Sequence, residues 1–233
     1  MVNLTVVPSL LACDRSGLLS VLRPLLSACR VPRLHFDGMD GYFVPNLGFC
    51  PQSLHDLKHA LVREKLPVPL FEVHLMVRRP SRFWKNFADA GAQLISFHFE
   101  CDDDIAHLAQ ELSRNGLASA LYLNPETAFV SCIPLLEHFS LLTVMGVHPG
   151  FCGQRPISAI DEKIHAAANY RRRNGLSYDI AVDGGVSAEN APQLVAAGAD
   201  FLIAGKAIFG AGNPQLAYDQ LLLAARVRHG SCS

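Results

Sequence analysis

The sequence lacks the features of a membrane or exported protein. No apolar run reaches the roughly 18 residues that a transmembrane helix needs, so no membrane span is expected. The N-terminal segment M-V-N-L-T-V-V-P has no basic region followed by a long apolar one, so no signal peptide is expected either. These observations predict a cytoplasmic protein.

Strong charge and paired cysteines are missing as well. The formal net charge is −1, which gives no indication of a nucleic acid or another polyanion as partner. The seven cysteines are dispersed and contain no C-x-x-C pair. This pattern is typical of reduced thiols in the cytosol, and it argues against a disulfide framework.

What the chain does have is a regular alternation of strand-like and helix-like segments. Half of its 233 residues are hydrophobic, and this length is normal for one α/β barrel. Strand-like runs lie near residues 4–10, 33–37, 70–76, 94–99, 119–123, 141–147, 179–183 and 201–204. Helices are predicted between them, for example over Ser81–Ala90 and Ala188–Ala197, each followed by a glycine suited to a C-cap.

Eight strands alternating with helices predict parallel β/α units. The strands are apolar throughout, as expected for a sheet that is covered on both faces. No segment between the units has the composition of a linker. Residues 1–233 are therefore predicted to form a single (β/α)8 TIM barrel, and a doubly wound open sheet is the alternative.

Histidine and aspartate side chains cluster at the predicted ends of three strands. His35 and Asp37 lie in R-L-H-F-D-G-M-D-G, His74 lies in F-E-V-H-L-M, and Asp183 ends Y-D-I-A-V-D. Residues two apart on a strand share a face, so His35 and Asp37 point the same way. A lone buried histidine is usually a hydrogen-bonded core residue. Two histidines and two aspartates at one barrel mouth instead suit a divalent cation such as Zn²⁺, Mn²⁺ or Fe²⁺.

Seven motifs lie in order along nearly the whole chain. They are P-S-L-L-A at 8–12, H-F-D-G-M-D-G-Y-F-V-P-N at 35–46, V-H-L-M at 73–76, L-N-P-E-T at 123–127, V-H-P-G-F-C-G-Q at 147–154, V-D-G-G-V at 182–186 and A-G-K-A-I-F-G at 204–210. Together they resemble the ribulose-phosphate 3-epimerase family. The resemblance implies a barrel that interconverts D-ribulose 5-phosphate and D-xylulose 5-phosphate in carbohydrate metabolism. It also implies a homo-oligomer, because family members commonly assemble.

The resemblance implies roles for individual residues. It assigns one divalent metal ion, Zn²⁺, Mn²⁺, Fe²⁺ or Co²⁺, to His35, Asp37, His74 and Asp183. It makes Asp37 and Asp183 the acid/base pair as well. The residues that it places against the substrate or around the reacting carbon are Ser9, Met39, Met76 and Met145.

The implied reaction needs side chains of these types. Epimerisation beside a ketone removes a proton from carbon and returns one to the other face, and a single base supplies about 10²–10⁴-fold. A metal that holds the carbonyl and hydroxyl oxygens lowers the free energy of the enediolate further. Asp37 and Asp183 on opposite sides of the carbon then act as base and acid. Methionine sulfurs pack against the enediolate without protonating it.

Glycine-rich loops after the last strands predict a phosphate site. Barrels often bind phosphate in the loops after strands 7 and 8, through backbone N–H groups. The loop P-G-F-C-G-Q at 149–154 is expected to close over the substrate. The predicted substrate-binding residues of these loops are Gly150, Gly153, Gln154, Gly184, Gly185, Gly205 and Lys206. For Lys206, a contact with the phosphate and extension into solvent are both open.

The chain departs from the usual family pattern at five positions, namely Gly38, Gly146, His148, Cys152 and Lys206. None of them is a predicted metal ligand or acid/base. Several are expected at the substrate pocket, so another ketose phosphate such as D-allulose 6-phosphate remains an alternative substrate. A decarboxylase on a related barrel and a non-catalytic sugar-phosphate-binding barrel are further alternatives. His98 and Glu100 either support the site from outside or are structural, and Asp40 is expected in a turn.

Overall fold

The computed structural model describes residues 4–28, 31–157 and 160–226. The strands are β1 (Thr5–Pro8), β2 (Arg33–Met39), β3 (Leu70–Met76), β4 (Leu94–His98), β5 (Ala118–Leu123), β6 (Leu141–Met145), β7 (Asp179–Asp183) and β8 (Phe201–Ala204). The α-helices are α1 (Leu18–Ala28), α2 (Pro51–Arg63), α3 (Trp84–Ala90), α4 (Ile105–Arg114), α5 (Phe129–Cys132), α6 (Ile160–Asn174), α7 (Ala191–Ala197), α8 (Lys206–Phe209) and α9 (Pro214–Arg226). Short 3₁₀ helices cover Leu10–Ala12, Arg15–Gly17, Pro80–Arg82 and Ile133–His138. Within these ranges, no helix is both long and apolar enough to cross a membrane.

The eight strands form one parallel sheet in the order β1-β8-β7-β6-β5-β4-β3-β2. A parallel bridge between Ser9 and His35 joins β1 to β2, the two strands at the ends of that order. The sheet therefore closes into a barrel with helices outside. This confirms the predicted (β/α)8 fold and excludes the doubly wound open sheet.

Alternate residues of each strand pack on the two sides of the barrel wall. Val7, Tyr122 and Ile203 belong to a buried cluster inside the barrel. Phe36 and Phe71 belong to the larger cluster between the strands and the helices. Fully burying such a side chain contributes about 1.5–3 kcal/mol. Because both faces are buried, the strands are apolar throughout, and the polar inward positions at their carboxyl ends form the site.

Two helices begin later than the sequence predicts, although both end as predicted. The segment Ser81–Ala90 becomes α-helical only at Trp84, because a 3₁₀ turn over the residues from Pro80 precedes it. The segment Ala188–Ala197 becomes helical at Ala191. There, the Asn190 side chain accepts a hydrogen bond from the Ser187 N–H and donates one to the Gly185 carbonyl, which closes a turn before the helix.

Two of the five departures from the family pattern concern packing of the barrel wall rather than the pocket. A Cβ atom at Gly38 would lie 3.2 Å from Phe87 Cζ, so the glycine allows α3 to pack closely on β2. A Cβ atom at Gly146 would clash with the carbonyl oxygen of Gly184. The Gly146 N–H also donates to the Asp183 carbonyl at 2.6 Å. Gly146 therefore lets the ends of β6 and β7 approach closely behind Asp183.

We predict that Gly146→Ala destabilises the protein by about 1–3 kcal/mol, the usual cost of forcing extra volume into a packed region. The added methyl meets backbone, which cannot rotate away. Gly212→Ala is the matched control, because nothing lies within 4 Å of a Cβ atom there. Chemical denaturation followed by circular dichroism gives both values. Equal stability of Gly146→Ala and the parent protein would contradict the packing described.

Candidate active site

Four predicted metal ligands meet at the carboxyl ends of β2, β3 and β7. Their facing ligand atoms all lie within 4.8 Å of one another. His35 Nε2 is 3.2 Å from Asp37 Oδ1 and 3.6 Å from Asp183 Oδ2. His74 Nδ1 is 3.3 Å and 3.5 Å from the same two oxygens. The β2–β3 register, which pairs Asp37 with His74, brings these side chains together.

The burial and chemistry of this cluster fit a divalent cation. Both histidines are fully buried, Asp37 is 4% exposed, and the Asp183 side chain is 13% exposed. Ionised carboxylates are costly to bury without a compensating charge. Two imidazole nitrogens and two carboxylate oxygens that face one point provide the donor set that Zn²⁺, Mn²⁺, Fe²⁺ and Co²⁺ accept. The four side chains can therefore hold one such ion.

The surroundings separate the proton affinities of the two aspartates. Burial raises the pKa of Asp183 to about 7; the charge of His35 acts against this shift, and the charges of Asp37 and Glu72 act with it. Burial also opposes ionisation of Asp37, but the charge and the hydrogen bond of the neighbouring His35 hold its pKa well below the usual range. Two carboxyl groups with such different proton affinities suit an acid and a base at one site.

The two histidines differ in the same way. Burial lowers the pKa of His74 to about 3, and the attraction of Asp37 does not offset it. Burial disfavours the charged form of His35 as well, but Asp37, Glu72 and Asp183 raise its pKa well above the usual value.

Ser9 holds one oxygen of Asp37. Its hydroxyl donates to Asp37 Oδ2 at 2.9 Å, while Oδ1 faces the histidines. Ser9 follows β1 directly and also lines the cavity above the site. The residue that the family resemblance assigns to the substrate is thus in direct contact with a predicted acid/base.

Glu72 lies behind His35, and the sequence analysis did not identify it. Glu72 is fully buried, with Oε1 3.7 Å from His35 Nδ1. Its Oε2 accepts from Arg33 Nη1 at 3.2 Å, and the Arg33 guanidinium stacks 4.4 Å from the centre of the Phe201 ring. Carboxylates in this position orient histidine ligands. The spacing of Glu72 and His74 on one strand face was the available signal.

His98 and Glu100 lie behind His74. His98 Nε2 is 2.8 Å from His74 Nε2, and His98 Nδ1 is 3.2 Å from Glu100 Oε2. The Tyr122 ring, also missed by the sequence analysis, stacks on His74 with ring centres 3.7 Å apart. His98 is thus in direct contact with a predicted metal ligand. This contact agrees with the alternative in which His98 and Glu100 support the site from outside.

Asp40 is a turn residue, as expected. Its Oδ1 accepts from the backbone N–H groups of Tyr42 and Phe43, and its Oδ2 accepts from the Arg78 N–H. It therefore joins the loop after β2 to the segment after β3 and keeps both in place at the barrel mouth.

A cavity of about 490 Å³ opens above the four ligands. The predicted substrate-binding residues that line it are Ser9, Met76, Met145, Gly150, Gly153, Gln154, Gly184, Gly185, Gly205 and Lys206. Met39 is instead buried beside the cavity, in a cluster with Met76 and Val44. His35 is covered completely, below the other ligands.

The loop after β6 covers one side of the cavity. Gln154 Nε2 donates to the His148 carbonyl at 2.7 Å and to the Phe151 carbonyl at 2.9 Å, which closes the loop on itself. Asn46 Nδ2 donates to the Gly150 carbonyl at 2.7 Å and so ties this loop to the one after β2. Three departures from the family pattern line the cavity, namely His148, Cys152 and Lys206.

The comparisons with known proteins agree with the motifs. Residues 5–209 match the model of the ribulose-phosphate 3-epimerase family. The chain is 38% identical to ribulose-phosphate 3-epimerase of Treponema pallidum over 89% of this chain and 92% of that protein. It is 32% identical to that of Mycobacterium leprae over 98% and 96%, and 33% identical to that of Escherichia coli K12 over 88% and 88%.

Several solved structures share this fold. A 3-hexulose-6-phosphate synthase matches with a TM-score of 0.65 and 17% identity, over 95% of this chain and 99% of that one. A 3-keto-L-gulonate-6-phosphate decarboxylase from Vibrio cholerae matches with a TM-score of 0.66 and 11% identity, over 97% and 98%. At these identities the similarity concerns the fold alone.

We predict that His74→Ala lowers Zn²⁺ affinity by more than the roughly 100-fold that loss of an outer contact costs. The substitution removes one nitrogen from a site of four ligand atoms. Elemental analysis gives the metal content, and titration against a competing chelator gives the affinity. His107→Ala, an exposed histidine in α4, is the matched control. Parental affinity in His74→Ala would show that the ligand set is wrong.

Proposed function

Because the chain belongs to the ribulose-phosphate 3-epimerase family, we propose that it interconverts D-ribulose 5-phosphate and D-xylulose 5-phosphate by inverting C3. It is an isomerase, as its family is. The observation that carries the proposal is the cluster of two histidines and two aspartates at the base of a 490 Å³ cavity. A cavity of this volume is within the usual range for a small ligand, roughly 300–1,000 Å³.

The cofactor in this proposal is one divalent cation, held by His35, Asp37, His74 and Asp183. When bound, the cation would neutralise negative charge that develops on the carbonyl and adjacent hydroxyl oxygens of the substrate. The mixed nitrogen and oxygen donors suit Zn²⁺, Mn²⁺, Fe²⁺ and Co²⁺. Metal analysis of the purified protein identifies which of these it carries.

Asp37 and Asp183 are the proposed acid and base. They come from β2 and β7, which β1 and β8 separate around the barrel, so the two carboxyl groups approach the cavity from different directions. One removes the C3 proton and the other returns a proton to the opposite face, which inverts the carbon. The Ser9 hydroxyl keeps Asp37 in place through its Oδ2.

Two methionines provide the remaining surface at the reacting carbon. Met76 and Met145 line the cavity and are at most 3% exposed. Their side chains exclude water and carry no proton to donate, so a carbanion-like intermediate beside them is not protonated at the wrong face. Met39 supports Met76 from behind in this arrangement.

The substrate phosphate is proposed to bind in the three loops after β6, β7 and β8. Glycines at 150, 153, 184, 185 and 205 line the cavity there, and backbone N–H groups in such loops bind phosphate. Lys206 is exposed, and its side chain runs beside Gly153, where a Cβ atom would be 3.4 Å from Lys206 Nζ. The Lys206 side chain therefore extends from the loop after β8 to the loop after β6.

A six-carbon ketose phosphate such as D-allulose 6-phosphate is the second candidate substrate. It is favoured by one observation, that His148, Cys152 and Lys206 depart from the family pattern and all line the cavity. An assay of the metal-loaded enzyme on both sugar phosphates decides between them. The proposal that the substrate is a pentulose phosphate requires a higher kcat/KM for D-ribulose 5-phosphate than for D-allulose 6-phosphate.

We predict that Asp37→Asn and Asp183→Asn each abolish epimerisation, because inversion needs a proton-transferring group on each face. Metal content is measured in parallel, since both residues are proposed ligands. The matched control is Asp179→Asn, at the other end of β7 and exposed. Full epimerase activity in Asp37→Asn or in Asp183→Asn would refute the two-aspartate mechanism.

We predict that Lys206→Ser raises KM for the phosphorylated sugar and weakens its dependence on salt, because ionic strength screens partly exposed ion pairs. Metal content should not change. Lys85→Ser, an exposed lysine in α3, is the matched control. An unchanged KM at low ionic strength would mean that Lys206 extends into solvent and does not bind the phosphate.

A further inference from the structure

A row of three polar side chains runs outward from the proposed metal site. His74 Nε2 lies 2.8 Å from His98 Nε2, and His98 Nδ1 lies 3.2 Å from Glu100 Oε2. Both imidazole rings are fully buried. Two nitrogens at 2.8 Å can form a hydrogen bond only if one carries the proton and the other the lone pair. The direction of this bond therefore determines which nitrogen of His74 is free to bind a metal.

The outer end of the row sets that direction. Glu100 Oε1 accepts from the Asn124 backbone N–H at 3.0 Å and from the Thr127 hydroxyl. A backbone N–H is always a donor, so the Glu100 carboxylate acts as an acceptor there. Its second oxygen, Oε2, faces His98 Nδ1 and accepts from it in the same way.

The proton positions then follow along the row. A neutral imidazole carries one N–H, so His98 with its proton on Nδ1 has its lone pair on Nε2. His98 Nε2 accepts from His74, which places the His74 proton on Nε2. The lone pair of His74 is then on Nδ1, the atom that lies 3.3 Å from Asp37 and 3.5 Å from Asp183. Stacking on Tyr122 fixes the plane of the His74 ring.

We infer that Glu100, acting through His98, is a positioning residue that keeps the His74 proton on Nε2 and so directs the Nδ1 lone pair into the metal site. The inference rests on the proposed metal site. In the reversed arrangement, His74 Nδ1 carries the proton, donates it to Asp37 Oδ1 and cannot bind a cation. Glu100 does not reach the site itself, so its effect depends on the relay.

Glu100→Gln reverses the relay with little change in shape. The glutamine oxygen remains with the Asn124 N–H and the Thr127 hydroxyl, so the NH₂ group faces His98 Nδ1 and donates to it. His98 must then carry its proton on Nε2, and His74 must carry its proton on Nδ1. Outer contacts of this kind change metal affinity by about 10–100-fold, so we expect a loss of Zn²⁺ affinity in that range.

The test combines Zn²⁺ titration against a chelator with ¹⁵N NMR of the histidine rings in the metal-free protein. We expect the proton of His98 on Nδ1 in the parent and on Nε2 in Glu100→Gln. Glu126→Gln is the matched control, since Glu126 is exposed on the same loop as Thr127 and is 3.3 Å from His148 rather than His98. Glu126→Gln should change neither the Zn²⁺ affinity nor the position of the His98 proton. Glu100→Asp keeps an acceptor and should recover most of the affinity.

The possible outcomes distinguish a failure of the proposed Glu100 role from a failure of the proposed metal site. Parental affinity in Glu100→Gln, or an unchanged His98 tautomer, overturns the role of Glu100 and leaves the metal site standing. Equally weak Zn²⁺ binding by Glu100→Asp and Glu100→Gln also overturns this role. The shape of the side chain, and not its ability to accept a hydrogen bond, would then determine the affinity. A parent protein that takes up no Zn²⁺ contradicts the proposed metal site and this inference together.

Discussion

The structure depends on the burial of two carboxylates and two imidazoles at one barrel mouth. Isolated ionised groups of this kind are costly to remove from water, so they persist only where charges and hydrogen bonds compensate them. Here each facing oxygen of Asp37 and Asp183 lies within 3.6 Å of both His35 Nε2 and His74 Nδ1. A divalent cation among the same atoms would complete that compensation. The site therefore depends on the barrel, because only closure of the sheet brings β2, β3 and β7 together.

Outer contacts give the cluster its orientation. His35 has Glu72 behind it, and His74 has His98, Glu100 and the stacked Tyr122. Both histidines thus have a carboxylate on the side away from the site, one directly and one through a second imidazole. The same barrel end also holds the cavity and the glycine-rich loops. The proposed proton transfer, metal binding and phosphate binding therefore all use strand ends at the carboxyl face, where barrel enzymes have their active sites.

The sequence predicted the fold and the position of the four clustered side chains, because the ends of the strands and their alternation with helices are visible in the local pattern. It did not predict Glu72 or Tyr122 as neighbours, because contacts across strands depend on register. Nor did it separate Gly38, which faces α3, from Lys206, which lines the cavity. Helix starts were shifted by local turns that involve Pro80 and Asn190. Met39 shares its strand face with Asp37, yet Met76 and Val44 cover it.

In the proposed mechanism, two carboxyl groups at one site invert the carbon, and their protons exchange with solvent. Epimerisation of D-ribulose 5-phosphate in D₂O, stopped at low conversion and analysed by NMR, is the decisive test of this mechanism. We expect deuterium at C3 of the D-xylulose 5-phosphate formed and the original hydrogen at C3 of the unreacted substrate, because the acid that protonates the second face exchanges with solvent. Product that retains the original C3 hydrogen would contradict it.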